Sequence, residues 1–435
     1  MGFDDFLQRA EEIKKTVEKF KNPLVVHHYD CDGITSGAIT IKALQEMKKP
    51  YSNKVYRKLD EDAIEELKNE KEIIFVDLGG STELVNELKG EVVIIDHHQT
   101  KNINRLQINP ELFGFDGSLE LSASGTAFFT FNTCGDLAVV GAIGDVQYPF
   151  RGLNSKLVEK AIEREEIEKT IDITLYGRGA RPLIQFLLYS DDPYLPGISN
   201  SENGTKAFLE STGIELKDKI SEKWRTYYDL NSNEKKILID NLISYLCDKE
   251  LCDYSKKLIG EVYLLKNRPK NCEMYDATEF STILNACGRN NRTDIGLGVC
   301  LDHDKYYEEA KQLLLMHRNN LKEGVKYAKN HIEDFGKFYF IDARGIIDDS
   351  IIGVVAGMLL SKRNKPLIAA SLDEKGEIKL SSRLLDKESE INLGKILKDV
   401  SAQVGGVGGG HKYAAGCSIP NNKINEFLLE LNKHF

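Results

Sequence analysis

Three consecutive residues, Asp96-His97-His98, close the apolar run Val92-Val93-Ile94-Ile95. A short run that is apolar throughout and polar only at its end reads as a strand buried on both faces, the pattern of parallel sheets covered by helices. The design recurs. Leu24-Val25-Val26 leads into His27-His28-Tyr29-Asp30-Cys31-Asp32-Gly33, Ile73-Ile74-Phe75-Val76 ends in Asp77, and the apolar segment from Ala138 to Gly144 ends in Asp145. Four such segments, in a region where strands and helices alternate, predict an α/β domain with a parallel sheet and acids gathered at the carboxyl ends of its strands.

Carboxylates grouped with imidazoles form a donor set for divalent ions. Oxygen donors suit Mg²⁺ and Mn²⁺, and added imidazole shifts the preference toward Mn, Fe, Co or Zn, so the mixed set predicts manganese. Asp30 and Asp32 flank one residue; on an extended segment their side chains leave the same face and serve two adjacent ions. Asp77, from the next strand, is placed to bridge them. Two ions roughly 3.5–4 Å apart clamp a phosphoryl group for in-line displacement, which makes phosphoester hydrolysis the expected chemistry. Each piece has a plainer reading: an Asp such as Asp145 after an apolar run is commonly a helix cap or turn residue, and a His pair can be one buried and one exposed ring. The grouping argues otherwise, because four of the nine histidines sit in two doublets, each after an apolar run and beside an aspartate.

These residues resemble a known family. Asp30-Cys31-Asp32-Gly33, Val76-Asp77, Asp96-His97-His98 and Gly144-Asp145 are similar to the four ordered signatures of the DHH phosphoesterase superfamily. Gly408-Gly409-Gly410-His411-Lys412-Tyr413-Ala414-Ala415-Gly416 resembles the motif of the DHH-associated domain, and Asn285-Ala286-Cys287-Gly288-Arg289 resembles a segment of RecJ-type single-strand exonucleases. Chain order and length fit an archaeal RecJ-like nuclease. The resemblance implies that His28, Asp30 and Asp77 hold one Mn²⁺ and that Asp32, Asp77, His97 and Asp145 hold a second, with Mg²⁺ or Co²⁺ as substitutes. Typical RecJ sequences carry Asp at the position of His28, and this chain departs there. His98 would face the scissile phosphate, with Asp96 accepting a hydrogen bond from an imidazole, so that Asp77, His98 and Asp96 form the catalytic set. Asn285, Arg289, Arg383, Gly409, Gly410 and His411 would bind substrate.

The implied activity is mononucleotide release from single-stranded DNA in the 5′→3′ direction, with replication proteins such as GINS as partners. The same site could serve a 3′→5′ RNA exonuclease or oligoribonuclease, or a small-molecule nucleotide phosphatase. A non-catalytic replication scaffold is a further alternative, but it would not need Asp30, Asp32, Asp77, His97 and Asp145 intact.

With 435 residues and 41% hydrophobic content the chain can bury sizeable cores and divide into two or three domains. The expected plan is a metal-binding catalytic domain over 1–150, a mainly helical insertion over 151–275, the Asn285–Arg289 segment and a connecting helix over 276–332, and a smaller α/β substrate-binding domain over 333–435. Within it, Ser122 reads as the cap of a packing helix with no catalytic role, Tyr176–Pro182 as a basic loop able to touch a nucleic-acid backbone, and Gly405–Gly410 as a phosphate-cradling loop. Cys247, Cys252 and Cys272 read as free thiols, since no adjacent His supports a zinc site. A net charge of −10 argues against a broad grip on duplex DNA, yet leaves room for a single strand guided by a few arginines. No apolar run reaches the ~18 residues that span a bilayer, and the start Met1-Gly2-Phe3-Asp4-Asp5 lacks a signal pattern, so the expected location is the cytoplasm, away from any membrane.

Overall fold

The computed structural model describes residues 2–190, 193–360, 365–385, 389–410 and 412–435. The chain forms two compact units, Met1–Lys311 and Gln312–Phe435. In the first, three of the apolar runs become β1 (Leu24–His28), β3 (Glu72–Val76) and β4 (Glu91–Ile95), which with the polar edge strand β2 (Ser52–Tyr56) and with β5 (Leu106–Ile108) form a parallel sheet in the order β2-β1-β3-β4-β5. Helices α1 (Phe3–Val17), α2 (Cys31–Glu46) and α3 (Glu61–Leu67) cover it. Successive strand residues point to opposite faces, which is why the central strands β1, β3 and β4 are apolar on both: Leu24, Val26, Ile73, Phe75, Val92 and Ile94 pack with Ala63, Ile64 and Leu67 of α3. Helix α1 buries Phe6, Ala10, Ile13 and Val17, the stripe its periodicity predicts. Burying each large apolar side chain contributes about 1.5–3 kcal/mol.

Strand order decides where a ligand can sit. The chain passes outward from β1 to β2 and then returns across β1 to β3, so a crevice opens at the carboxyl ends between β1 and β3. The register pairs His27 with Val76 and Val76 with Ile95, so the next residues of three neighbouring strands, His28, Asp77 and Asp96, finish in one row.

The segment ending in Asp145 is not a strand. After α4 (Ala123–Phe131) it forms α5 (Gly135–Gly144), buried from Gly135 to Ala142. A helix enclosed on all sides has no polar stripe, and its sequence cannot be told from a buried strand by periodicity.

The next stretch comprises α6 (Gly152–Glu163), β6 (Ile167–Ile173), α7 (Leu183–Leu188), α8 (Glu202–Thr212), α9 (Ser232–Cys247), α10 (Cys252–Ser255) and β7 (Ile259–Leu265), with β6 and β7 paired antiparallel. Phe186, Tyr227, Leu238, Leu242 and Leu246 give it a core of its own. One expectation fails in this stretch and another is narrowed. Cys247 and Cys252 are joined as a disulfide, because the turn that ends α9 brings their Cα atoms to 4.3 Å. The Tyr176–Pro182 loop does not present Arg178 to a ligand: its side chain is 2% exposed and donates from Nε to Asp276 Oδ2 at 2.7 Å, with Tyr228 adding a second donor at 2.9 Å. Asp276 is the N-cap of α11 (Ala277–Arg289), so the pair ties the loop to that helix.

Helices α12 (Thr293–Leu301) and α13 (His303–Asn330) follow, the latter being the expected connecting helix. The second unit continues through β8 (Ile332–Asp334), β9 (Tyr339–Asp342), α14 (Ile352–Met358), β10 (Leu367–Leu372), β11 (Ile378–Arg383), α15 (Leu393–Gln403), β12 (Val407–Gly410), β13 (Ala414–Ile419) and α16 (Ile424–His434). Its sheet runs β12-β13-β11-β10-β9-β8, with Phe340, Ile368, Leu380, Leu397 and Phe427 in the core on one face and Ile341, Val355, Leu367 and Ala369 on the other. The glycine run expected as a loop is in large part the edge strand β12, paired with β13. A Cβ on Gly408 would lie 2.6 Å from Cys417 Cβ and 2.7 Å from Ser401 Oγ, so close packing of α15 accounts for glycine there. Among the described residues no helix is long and apolar enough to cross a membrane.

Removing one partner of a buried ion pair leaves the other charge uncompensated, so Arg178→Ala is expected to cost about 3–5 kcal/mol of stability. Urea unfolding of the first unit's transition measures it; a loss below ~1 kcal/mol would show that the pair does not hold the loop to α11.

Candidate metal centre

Asp77 directly follows β3 and adopts a φ of 59°, a left-handed conformation that Asp accepts more readily than most residues. Its backbone N–H donates to Ile95 O at 3.0 Å, which sets the side chain between two neighbouring strands. One carboxylate oxygen, Oδ2, lies 3.3 Å from His28 Nδ1 and the other, Oδ1, 3.3 Å from His97 Nε2. Two donor groups meet there: His28, Asp30 and Asp77, and Asp32, His97 and Asp145. A third contains Asp77, Asp96, His97 and His98, and within each group the candidate atoms lie within 4.8 Å of one another.

Asp30 and Asp32 do not lie on an extended segment. Asp30 is the N-cap of α2, its Oδ1 accepting from Gly33 N at 3.0 Å while Oδ2 stands 3.0 Å from His28 Nδ1. Asp32, in the first turn of α2, accepts from Ala123 N at 2.7 Å and from Ser124 N at 2.9 Å, the open donors at the start of α4. The Ser122 cap is present, and the helix it starts anchors Asp32 as well as packing. The two acids therefore serve different groups because a helix start, unlike a strand, fans its side chains apart.

His97 donates from Nδ1 to Gly117 O at 2.7 Å, which leaves Nε2 unprotonated in the neutral ring and directed at Asp77. Asp145 caps the end of α5, with Oδ2 3.8 Å from His97 Nδ1. Asp96 is fully buried and committed to hydrogen bonds: Oδ2 accepts from Gly80 N at 2.7 Å, and Oδ1 accepts from His97 N and from His98 Nδ1, both at 2.8 Å. That arrangement orients the exposed His98 ring. His27 takes no part; its buried ring donates from Nδ1 to His28 O at 2.8 Å, and burial pulls its pKa down to about 4.

A divalent ion fits these residues on a direct observation. Asp77 Oδ1, His97 Nε2 and His28 Nδ1 are buried and make no well-aligned hydrogen bond, although Oδ1 and Nε2 stand 3.3 Å apart and His28 Nδ1 lies 3.0 Å from Asp30 Oδ2 and 3.3 Å from Asp77 Oδ2. Leaving a buried polar atom unsatisfied costs about 1–3 kcal/mol, and a cation held among carboxylates and imidazoles would satisfy all three.

Electrostatics agree. Burial opposes a charged ring at His28 and His97, but Asp30 and Asp77 around the first, and Asp77, Asp145 and Asp32 around the second, lift both well above the ordinary histidine range. Burial and then the charge of Asp77 push Asp32 up; burial and the charges of Asp77 and Asp30 do the same to Asp145, against the opposing pull of His97. Asp30 and Asp96 stay below the carboxylate range despite burial, held there by His28 and His98. His98 is lifted to about 9 by Asp96, against burial.

Asn285, expected on the substrate, accepts from Cys31 N at 3.1 Å through Oδ1. A Cβ on Gly288 would lie 1.9 Å from Tyr29 O, so α11 abuts the loop that carries His28 and Asp30. Arg289 follows, its pKa lowered by burial against the pull of Tyr29 and Asp30. Arg383 ends β11, donating from Nη1 to Ser382 O at 2.9 Å, and Gly409 and Gly410 lie in β12, all three in the second unit. His411 lies outside the described residues. The site also uses Gly80, Gly117, Ala123 and Gln147, for which the sequence offers one signal only, the serine cap before Ala123.

Raised pKa values mean that protons occupy the imidazoles and part of the carboxylates when no cation is bound, and a cation must displace them. Mn²⁺ binding is expected to release protons and to tighten as pH rises from about 6 to 8. Calorimetric titration in buffers of different ionisation enthalpy measures the release; a binding constant flat across that range would contradict the assignment.

Comparison with known proteins gives three family matches: the DHH family, N-terminal domain, over residues 22–137, the DHH-CID domain over 175–257 and the DHHA1 domain over 336–435. An uncharacterised protein of Methanocaldococcus jannaschii is 29% identical, with 98% of each chain aligned. Among solved structures, RecJ from Thermus thermophilus in complex with Mn²⁺ matches with a TM-score of 0.61 at 17% identity, covering 100% of this chain and 55% of that one. CDC45 from Entamoeba histolytica matches with a TM-score of 0.63 at 13% identity, covering 100% and 99%. The likeness to both is one of fold. With DHH, DHH-CID and DHHA1 domains in order along one chain, the protein carries the domains of the DHH superfamily on a fold similar to that of RecJ.

Proposed function

We propose that the protein is a manganese-dependent phosphodiesterase, a RecJ-like exonuclease that releases mononucleotides from single-stranded DNA in the 5′→3′ direction. The observation that carries this reading is the division of the Asp77 carboxylate between two imidazoles, with Oδ1 and His97 Nε2 buried and unpartnered. His28, Asp30 and Asp77 would hold one ion, and Asp32, Asp77, His97 and Asp145 the other, with Mg²⁺ or Co²⁺ as substitutes. Bound there, the pair supplies charge to the attacking and leaving oxygens of an in-line displacement.

The remaining chemistry belongs to the chain. Asp96 fixes the His98 ring through Nδ1, so Nε2 is left to donate to a phosphate oxygen, and the Asp96 carboxylate favours the charged form of that ring. Arg289, Arg383, His411 and the backbone of Gly409 and Gly410 are the proposed contacts for phosphates along the strand, with Asn285 bracing the Cys31 backbone. In a chain of net charge −10, such local cations guide an anionic polymer.

A second reading, a replication scaffold that binds partners such as GINS without turnover, draws on the match to CDC45 across 99% of that chain. Against it stands the donor set: a scaffold gains nothing from buried polar atoms left without partners.

Single-stranded DNA and RNA oligomers labelled separately at each end, incubated with Mn²⁺, distinguish these readings. Early mononucleotide release of a 5′ label from DNA is expected, and Asp77→Ala should lower the rate by at least about 10²–10³-fold, the loss typical of one oriented charge-stabilising group. Early release of a 3′ label from RNA would instead make the protein an oligoribonuclease, and no release from either polymer would favour the scaffold or a small-molecule phosphatase.

A further inference from the structure

Val146, next to Asp145, has a φ of 60° and a side chain 82% exposed. A β-branched residue in the left-handed region is a steric outlier, and the surrounding structure must hold it there. The cause is the way α5 ends. Gln147 N donates to Ala142 O and Val146 N to Ile143 O, both at 3.0 Å, which is the paired closure whose left-handed position is usually glycine.

That closure folds the next residue back toward the helix it has just left. Gln147 is 2% exposed, and its side chain joins two members of one donor group. Nε2 donates to Asp145 Oδ2 at 2.8 Å and to Gly117 O at 2.8 Å, the carbonyl that also accepts from His97 Nδ1 at 2.7 Å. Oε1 accepts from Asn154 Nδ2 at 2.6 Å, and Asn154, in α6, is itself held by donation from its backbone to Glu120 O at 2.7 Å. The amide can sit only one way round: reversed, its oxygen would face a carboxylate and a carbonyl, and its NH₂ would face another NH₂.

We propose that Gln147 is a positioning residue for one of the two cations. It takes Oδ2 of Asp145, leaves Oδ1 for an ion, and links Asp145 to His97 through the Gly117 carbonyl to which Gln147 and His97 both donate. Occupancy of the Asp32–His97–Asp145 group then depends on Gln147, whereas that of the His28–Asp30–Asp77 group does not. The inference rests on the two-cation reading above and adds a residue outside every motif that supports it. It also accounts for the left-handed backbone beside Asp145: that conformation returns Gln147 to the site.

The test is Mn²⁺ titration of the metal-stripped full chain, followed by calorimetry and by the electron paramagnetic resonance signal of coupled ions. The wild type should bind two ions. Gln147→Met, similar in shape but without the amide, should weaken one binding step about 10–100-fold, leave the other unchanged and lose the coupled signal. Asn154→Ala, which leaves Oε1 without its donor, should weaken the same step less, and His28→Ala the opposite step. Val146→Gly, which keeps Gln147 and relieves the strain, should leave both steps unchanged. If Gln147→Met and Asn154→Ala bind both ions with wild-type affinity, or lose both steps equally, Gln147 is not a positioning residue and the two-cation reading stands. If the wild type binds fewer than two ions, that reading falls and the inference with it.

Discussion

One carboxylate divided between two rings organises the first unit. Asp77 reaches His28 with one oxygen and His97 with the other, and both imidazoles are surrounded by further acids. So many like charges cannot share a buried edge unless something neutralises them, whether protons or cations. The surrounding elements relieve part of the burden. Asp30 caps α2 and Asp32 sits at the start of α4, where open N–H groups and the helix dipole favour negative charge. Asp145 has the opposite placement, at the carboxyl end of α5, where the dipole disfavours it.

Much of the framework was legible because strands buried on both faces have nothing else they can be. The runs at 24–28, 72–76 and 91–95 need helices on both faces, and their carboxyl ends then lie along one edge. The helix α5 escaped for the same physical reason in reverse: full enclosure removes the polar stripe that distinguishes a helix. The run Gly405–Gly410 misled because glycine serves close packing as well as loop flexibility, and only the position of α15 against Gly408 decides between them. Arg178 in its basic loop could not be recognised as buried, since its partner Asp276 lies 98 residues away in sequence.

For the candidate site, local pattern located the acids and histidines but not their grouping. Asp30 and Asp32 are two residues apart in any conformation; that they address different neighbours follows from a helix beginning between them and from the start of α4 arriving 91 residues later. Orienting residues were out of reach altogether. Gln147 is an unremarkable polar residue in sequence, and its burial follows from a left-handed valine, from Gly117 and from Asn154, three facts of tertiary structure.

The central claim is that Asp77 is shared by two cations. Anomalous diffraction at the manganese edge from crystals grown with Mn²⁺ tests it most directly. Two peaks roughly 3.5–4 Å apart, both within bonding distance of Asp77, one beside His28 and Asp30 and the other beside Asp32, His97 and Asp145, are the predicted result. A single peak, or two that do not share Asp77, would contradict it.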